Sequence, residues 1–374
     1  MIETIDEFAF KNSPFPLTLS LENHCSVPQQ LRMAEIMSTT FKEKLLLFPT
    51  DYNSLPSPNR LLNKIIIKGK SFQNPFTEDK LSALEGDVSD EDEAAEMDKT
   101  EILKNTGYGT IDKMDDFVEH IGTQVGLTYH GAKDEKKMIK KLSRGISTID
   151  KPAKKAKTKL KLCKELSDMV VYFKSTAFKG FSSDTNFASI SSFNESKAKI
   201  LMKESPKDAV EFHKRNVSRV YPAGSRTDSS NFDPTPFWNH GFQMVAINYQ
   251  TKGEKRDVYL SKFKQNGNCG YVLKPEFLLN SPKPLKYENA VLLVIKVISG
   301  QQLPKPNNVL KGEVVDPFVR IDVFGGDHDR QTSETQWILD NGFNPVWNEE
   351  LTFTILEPET SILRITVFDR ESFF

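Results

Sequence analysis

The sequence predicts an α/β domain followed by an all-β domain, and three observations support this. Residues 1–72 alternate between strand and helix patterns. Residues 73–158 lose this periodicity and are dominated by charge. Residues 286–374 contain short β-branched segments between turn residues, as is typical of an antiparallel sandwich. A chain of 374 residues is long enough for two domains and a linker.

The first 72 residues predict a βαβ unit. Leu17, Leu19 and Leu21 alternate with polar residues and predict a half-buried strand. Val27–Leu47 carries apolar residues roughly on one side and predicts a helix. Ile65–Ile67 is a short β-branched run, which is typical of a buried parallel strand. This succession indicates two parallel strands joined by a crossover.

The middle segment, residues 73–158, predicts a disordered linker. Glu85–Glu101 is rich in acids and Lys133–Lys161 is rich in lysine. Neither block has sustained apolar periodicity, so we expect both to be solvated.

Residues 159–283 return to a globular composition. They predict a strand at Leu166–Lys174, a helix at Glu195–Glu204 and a strand ended by proline at Arg219–Pro222. Phe242–Tyr249 alternates again. In the last domain we predict strands at Val291–Ile298, Phe318–Val323, Glu350–Thr354 and Ile362–Phe368.

Composition limits the classes of partner. The net charge of −1 gives no global field for nucleic acid, so we expect none to bind. The cysteines Cys25, Cys163 and Cys269 are odd in number and far apart, which predicts no disulfide framework and a cytoplasmic setting. No apolar run approaches the ~20 residues of a membrane span, so any membrane contact is expected to be peripheral. We expect a monomer.

Several motifs resemble phosphoinositide-specific phospholipase C, most closely the delta type. FPLTLSLENHCS at 15–26, SLPSP at 54–58 and IIIKGK at 65–70 resemble the end of its X half. RVYPAGSRTDSS from Arg219 onwards and NGNCGYVLKP at 266–275 resemble its Y half. VVDPFV, NGFNPVWN and VFDRE in the last domain resemble a C2 domain.

The resemblance implies a fold and a domain division. The fold is an incomplete TIM-type (β/α)8 barrel, split by the disordered linker and followed by an all-β C2 sandwich. Residues 1–72 would be the C-terminal part of the X half and residues 159–283 the Y half. The C2 domain would occupy residues 286–374 and lack its last strand or two.

Side chains at strand ends are the candidates for binding a phosphorylated ring. Lys68 and Lys70 are two residues apart and point to one side of a strand end. Arg219 and Tyr221 repeat this spacing, and a guanidinium can bind phosphate bidentately. The resemblance makes these four residues and Ser192 ligands of the inositol phosphates. The alternatives are exposed strand ends and, for Ser192, a helix cap completed by Glu195 three residues on.

Acidic residues are the candidates for binding calcium. Glu22 ends a strand, and the resemblance makes it one of four calcium ligands of the active site. Asp316, Asp369 and Glu371 lie in predicted turns of the C2 domain, where acids hold calcium and bridge to anionic lipid. Solvated acids are the alternative reading at all four positions.

The catalytic pair is the missing part of the pattern. The family uses two histidines, in HNTY and YHGY contexts, and none of the 6 histidines of this chain has such a context. His24 lies close to Glu22 but does not correspond to either. We therefore expect the chain, with the sequence given, to be an inactive fragment of a longer enzyme, in which the first barrel strands would precede residue 1.

The function implied is calcium-dependent hydrolysis of phosphatidylinositol 4,5-bisphosphate to inositol 1,4,5-trisphosphate and diacylglycerol. The alternative is a non-catalytic phosphoinositide-binding or scaffold protein. The expected location is the cytoplasm, with peripheral membrane contact through the C2 domain and the linker. The lysine block also fits a nuclear import signal, and a plain solubilising tether is an equal alternative for both charged blocks.

Overall fold

The computed structural model describes residues 1–72, 85–89, 159–182, 185–280, 290–305 and 314–370. Within these ranges a parallel sheet flanked by helices precedes an antiparallel sandwich. The rest of the predicted linker lies outside the described residues, as does Glu371.

The secondary structure alternates strands and helices up to residue 280 and then continues as strands. The helices are α1 (Ile2–Phe8), α2 (Val27–Phe41), α3 (Lys164–Asp168), α4 (Glu195–Glu204), α5 (Pro206–Phe212), α6 (Thr235–Asn239), α7 (Glu254–Asn268) and α8 (Glu276–Leu279). The strands are β1 (Leu17–Ser20), β2 (Ile65–Lys68), β3 (Glu85–Ser89), β4 (Lys159–Cys163), β5 (Lys174–Ser175), β6 (Ser189–Asn194), β7 (Val217–Tyr221), β8 (Met244–Val245), β9 (Val291–Ser299), β10 (Pro317–Phe324), β11 (Gln331–Glu334), β12 (Val346–Ile355) and β13 (Ile362–Asp369).

Six parallel strands follow one another in a single order. β1 pairs with β2, and β5, β6, β7 and β8 pair in sequence, all in parallel. A parallel bridge between Gly69 and Lys174 joins the two groups, and the Ser175 N–H donates to the Gly69 carbonyl at 2.8 Å. All six strands therefore end at the same edge of the sheet.

The predicted βαβ unit is confirmed. β1 and β2 are parallel with Leu17 opposite Ile65, and α2 forms the crossover between them. Met37 and Phe41 of α2 are almost fully buried against Ile65 and its neighbours. Burial of this apolar face, rather than helix propensity, stabilises a helix of this length.

A buried amide connects helix α2 and the loop before it to strand β4. The Gln30 side chain of α2 is fully buried, and its nitrogen donates to the carbonyls of Cys25 and Lys161 at 2.8 Å each. Its oxygen accepts the Cys163 N–H at 3.0 Å. Three backbone groups from segments more than a hundred residues apart are thus satisfied by one side chain.

The C-terminal strands form the predicted antiparallel sandwich. One sheet has the order β11–β10–β13 and the other pairs β9 with β12. Residues of both sheets alternate between core and surface, and Ile321, Trp347 and Phe353 are buried between them. This is the arrangement of two sheets packed face to face.

The sandwich packs against the parallel-sheet domain. Phe324 and Ile362 of the sandwich are buried in the same cluster as Phe237 and Val258 of the first domain. Around this cluster Arg330 pairs with Asp233 at 2.6 Å and Arg364 pairs with Asp257 at 3.2 Å. The Thr235 hydroxyl also donates to the Gly325 carbonyl at 3.3 Å.

The prediction of solvated chain was wrong at the start of the acid-rich block and at the end of the lysine-rich block. Glu85–Ser89 and Lys159–Cys163 form an antiparallel pair, with Glu85 opposite Cys163. Composition alone indicated solvated chain for both blocks because each lacks apolar periodicity. The pairing is between segments about seventy residues apart, so neither one carries the signal by itself.

Three local predictions also differ from the structure. The predicted strand Leu166–Lys174 is helix α3 followed by a buried irregular turn, and Phe173 has a φ of 62°, which interrupts an extended strand. Helix α2 ends at Phe41 rather than Leu47 because Lys42 leaves helical geometry with a φ of 49°. The strand predicted at Phe242–Tyr249 is confined to Met244–Val245.

Candidate functional site

The candidate residues lie where the parallel strands end. Glu22 follows β1, Lys68 ends β2, and Lys70 lies just beyond it. Arg219 and Tyr221 occupy the last residues of β7. In parallel α/β sheets the side chains at the carboxyl ends of the strands form binding sites, because there the loops rather than the helices surround the sheet edge.

One cavity of about 280 Å³ at this edge is lined by all six candidates of the parallel-sheet domain. They are Glu22, Lys68, Lys70, Ser192, Arg219 and Tyr221. Since β5 and β6 separate β2 from β7 in the sheet, the curvature of the sheet brings these ends around a common space.

The basic residues of the cavity are held by strands and neighbours. Lys68 is only 5% exposed, and its ammonium donates to the Ser175 hydroxyl at 3.1 Å. The guanidinium carbon of Arg219 lies 5.2 Å from the centre of the Tyr221 ring. With Lys70, three cations and the single carboxylate of Glu22 line the cavity, so its charge favours an anion.

Ser192 lies beside Arg219 in the ladder between β6 and β7. Its hydroxyl oxygen is buried and has no hydrogen-bond partner among the described residues. The helix-cap reading of Ser192 was wrong, because α4 is capped by Asn194, whose side chain accepts the Lys197 N–H at 2.8 Å. Ser192 therefore lines the cavity and carries a hydroxyl without a hydrogen-bond partner among the described residues.

Glu22 lies at the open side of the cavity. Its side chain is 82% exposed, and one carboxylate oxygen lies 3.3 Å from Nε2 of His24, which is also exposed. An ion pair in such a position contributes little to stability. The carboxylate can therefore exchange this partner for a ligand at little cost.

Two of the candidate acids of the sandwich, Asp316 and Asp369, lie next to each other. The Asp316 N–H donates to Oδ1 of Asp369 at 2.8 Å, and Oδ1 of Asp316 accepts the Asp340 N–H at 2.7 Å. Asp316 is 4% exposed. Sequence reasoning missed Asp340, although the Asp-Asn-Gly turn at 340–342 is the kind of signal that places an acid in a tight loop.

A further cluster joins His328, Asp329 and Glu357, whose possible ligand atoms all lie within 4.8 Å of one another. The carboxylate of Asp329 accepts the N–H groups of Leu356 and Glu357 at 2.7 and 2.8 Å. Through these hydrogen bonds Asp329 stabilises the loop that follows β12. Burial raises the pKa of Glu357, and the nearby charge of His328 partly offsets this.

Asn23 lines the cavity at the strand ends and was also missed in the sequence. It lines the same cavity as Glu22 and Arg219, and its amide nitrogen is buried. An asparagine next to the candidate Glu22 carries no distinctive pattern of its own, so only the geometry identifies it. In the part of the chain that the structure describes, no helix has the length and apolar character needed to cross a membrane.

Three family models match the chain in succession. Residues 1–71 match the X domain and residues 166–277 the Y domain of phosphatidylinositol-specific phospholipase C. Residues 291–374 match the C2 domain. The expected X, Y and C2 regions are therefore all present.

Curated relatives cover nearly the whole chain. The human 1-phosphatidylinositol 4,5-bisphosphate phosphodiesterase eta-1 is 35% identical over 99% of the chain and 26% of its own length. The human delta-1 phosphodiesterase is 38% identical over 100% of the chain and 45% of its own length. The chain thus spans between about a quarter and just under half of these relatives.

Solved structures agree with this fold. PLC21 of L. pealei superposes with a TM-score of 0.69 at 29% identity, over 98% of this chain and 41% of that one. PLC21 of S. officinalis gives the same values. The parallel sheet is therefore part of a TIM-type barrel, followed by a C2 sandwich, as the motifs predicted.

Proposed function

Because the chain belongs to the phosphatidylinositol-specific phospholipase C family, we propose that its cavity binds the phosphorylated headgroup of phosphatidylinositol 4,5-bisphosphate. The whole protein would then hydrolyse this lipid to inositol 1,4,5-trisphosphate and diacylglycerol. The observation that carries the proposal is the meeting of Lys68, Lys70 and Arg219 around one cavity.

Each side chain has a role that suits an inositol phosphate. Lys68 and Lys70 offer ammonium donors to phosphate oxygens, and Arg219 offers a planar pair of N–H donors that matches phosphate geometry. The Tyr221 ring lies beside the guanidinium and presents an apolar surface to the sugar ring. Ser192 contributes the hydroxyl whose hydrogen-bonding capacity is not used within the described residues.

Glu22 would be a ligand of the calcium ion. An exposed carboxylate at the rim of the cavity is a hard oxygen ligand of the kind that calcium prefers, so the donor chemistry fits. When bound, calcium would stabilise negative charge that develops on the phosphate and on the attacking hydroxyl. Glu22 would also hold the calcium ion at the opening of a cavity whose interior is basic.

The sandwich would supply a second calcium site and the membrane contact. The Asp369 carboxylate accepts the Asp316 N–H, and the Asp316 carboxylate accepts the N–H of Asp340 in the adjoining loop. Carboxylates grouped at one end of a C2 domain suit calcium and, through it, anionic lipid. This arrangement fits a cytoplasmic monomer that contacts the membrane peripherally. In this proposal the X half of the barrel ends within residues 1–72, the Y half occupies residues 159–283, and the C2 domain occupies residues 286–374.

Calorimetric binding of inositol 1,4,5-trisphosphate to the full chain tests the proposal. We expect Arg219→Met to weaken binding about tenfold to a hundredfold, because a charged, bidentate hydrogen bond to phosphate is lost. Arg32→Met is the matched control, since Arg32 is exposed on α2 and pairs only with Glu35 among the described residues. Equal affinity for unphosphorylated inositol, or an unchanged Arg219→Met variant, would contradict the proposal.

A further inference from the structure

Asn23 is held in one orientation by the loop that follows β1. Its side-chain oxygen accepts the Cys25 N–H at 3.0 Å, which closes a local turn just before α2. Helix α2 then begins with a capping box in which the Ser26 N–H donates to the Gln29 side chain at 2.9 Å. Because the oxygen is engaged, the amide nitrogen is the end that remains for another partner.

That amide nitrogen is buried and makes no hydrogen bond to any residue that the structure describes. A buried donor without an acceptor destabilises a fold, so such groups are rare unless a ligand or water satisfies them. The Ser192 hydroxyl has the same property and lines the same cavity. Two residues that line one basic cavity thus each carry an unsatisfied polar group.

The turn at Cys25 explains the side-chain oxygen of Asn23 but leaves its nitrogen without a role in the fold. The cations of the cavity cannot serve as partners, since an ammonium or guanidinium group has no acceptor. A calcium ion is also excluded as the partner, because an amide N–H donates and calcium binds oxygen. The partner that fits is an oxygen acceptor in a ligand.

We propose that Asn23 is a headgroup-binding residue, which donates from Nδ2 to a phosphate or hydroxyl oxygen of the bound inositol phosphate. This inference rests on the function proposed for the cavity. It adds a neutral, directional donor beside Glu22 to the cations Lys68, Lys70 and Arg219. Because an amide N–H forms a directional hydrogen bond, it selects for the position of an oxygen atom, whereas the cations select mainly for negative charge.

Two substitutions separate the donor from the turn. Asn23→Asp keeps an oxygen that can accept the Cys25 N–H, but it removes the donor and adds a negative charge beside the phosphates. Asn23→Ser removes the amide nitrogen without a charge and keeps a hydroxyl that can form a similar turn. Asn53→Asp is the matched control, because it adds the same charge on an exposed loop outside the cavity.

Calorimetry with inositol 1,4,5-trisphosphate on the full chain gives the readout, and thermal unfolding reports the fold. We expect affinity to fall about threefold to tenfold in Asn23→Ser and more than tenfold in Asn23→Asp, with similar melting temperatures. The Asn53→Asp control should bind like the parent chain.

Binding by Asn23→Ser equal to that of the parent chain would overturn the inference, because a loss confined to Asn23→Asp would then reflect charge alone. In that case a weakened Arg219→Met variant would still support the proposed function. If the parent chain itself did not bind the ligand, the proposed function would fail and the role of Asn23 with it.

Discussion

Replacing Arg226 with methionine is expected to lower the free energy of unfolding by about 3–5 kcal/mol, because it leaves a buried carboxylate without its main partner. Glu195 is 3% exposed. Both of its oxygens are held by the Arg226 guanidinium, through Nε on one and through Nη2 at 2.9 Å on the other. Lys199 and the Ala223 N–H, both at 3.2 Å, would remain.

Chemical denaturation of the Arg226→Met variant measures this loss. Arg215→Met is the control, because Arg215 is exposed on the same domain. The double variant Glu195→Gln with Arg226→Met should recover part of the loss, since the charge that cannot be solvated is then gone. A loss below about 1 kcal/mol in Arg226→Met, in the range of a surface ion pair, would refute the buried-pair interpretation.

The same pair matters for the cavity. Burial alone would raise the pKa of Glu195, but hydrogen bonds from Arg226 and from the Ala223 N–H hold it below its ordinary value. Glu195 directly follows β6, which carries Ser192, and Ala223 directly follows Pro222 and the end of β7. The ion pair thus connects the loop that follows Tyr221 to the end of the neighbouring strand, β6.

Lowering the pH is also expected to reduce the free energy of unfolding by a large amount, because His213 is buried. Burial, with a contribution from the charge of Lys274, lowers the pKa of His213 from 6.5 to about 3. Its ring lies 4.1 Å from the centre of the Phe242 ring, and Nδ1 donates to the His240 carbonyl at 2.9 Å. The neutral ring is therefore the form that fits the folded protein.

The direction of this pH dependence follows from the number of protons that the folded and unfolded chains bind. Between pH 6.5 and about 3 the unfolded chain binds a proton at this histidine and the folded chain does not. The free energy of unfolding should fall by about 1.4 kcal/mol for each pH unit below 6.5, or roughly 4–5 kcal/mol in total. This stability is fully present above pH 6.5 and is lost as the pH falls toward 3.

Denaturation curves at pH 6.5 and at about pH 4 test this in the parent chain and in His213→Gln. The glutamine amide can donate to the His240 carbonyl but does not titrate, so the difference between the two pH values should shrink by about 3 kcal/mol. An equal pH dependence in parent and His213→Gln would show that other groups cause it.

Local patterns were sufficient for part of the barrel, including β1, β2, β7 and α4, and for strands β9, β10, β12 and β13 of the sandwich. The alternation of Leu17, Leu19 and Leu21 and the run Ile65–Ile67 predicted β1 and β2, and Glu195–Glu204 was predicted with its observed bounds. These signals are readable because strand and helix periods expose one face of each segment. The candidate residues Lys68 and Arg219 were identified from motifs, and both line the cavity at the strand ends.

Long-range partners were not predictable in this way. The pairing of Glu85–Ser89 with Lys159–Cys163 joins two charged segments whose compositions both indicate solvated chain. Asn23 and Glu195 look like ordinary polar residues in sequence. Their roles depend on what surrounds them, an unsatisfied donor in one case and a bidentate arginine in the other.

A crystal structure of the chain with bound inositol 1,4,5-trisphosphate is the most direct test of the cavity at the strand ends as a headgroup site. We predict phosphate oxygens within about 3.2 Å of the Lys68 ammonium and of the Arg219 guanidinium in the same complex. Ligand bound at another surface, with neither side chain in contact, would contradict the proposed function.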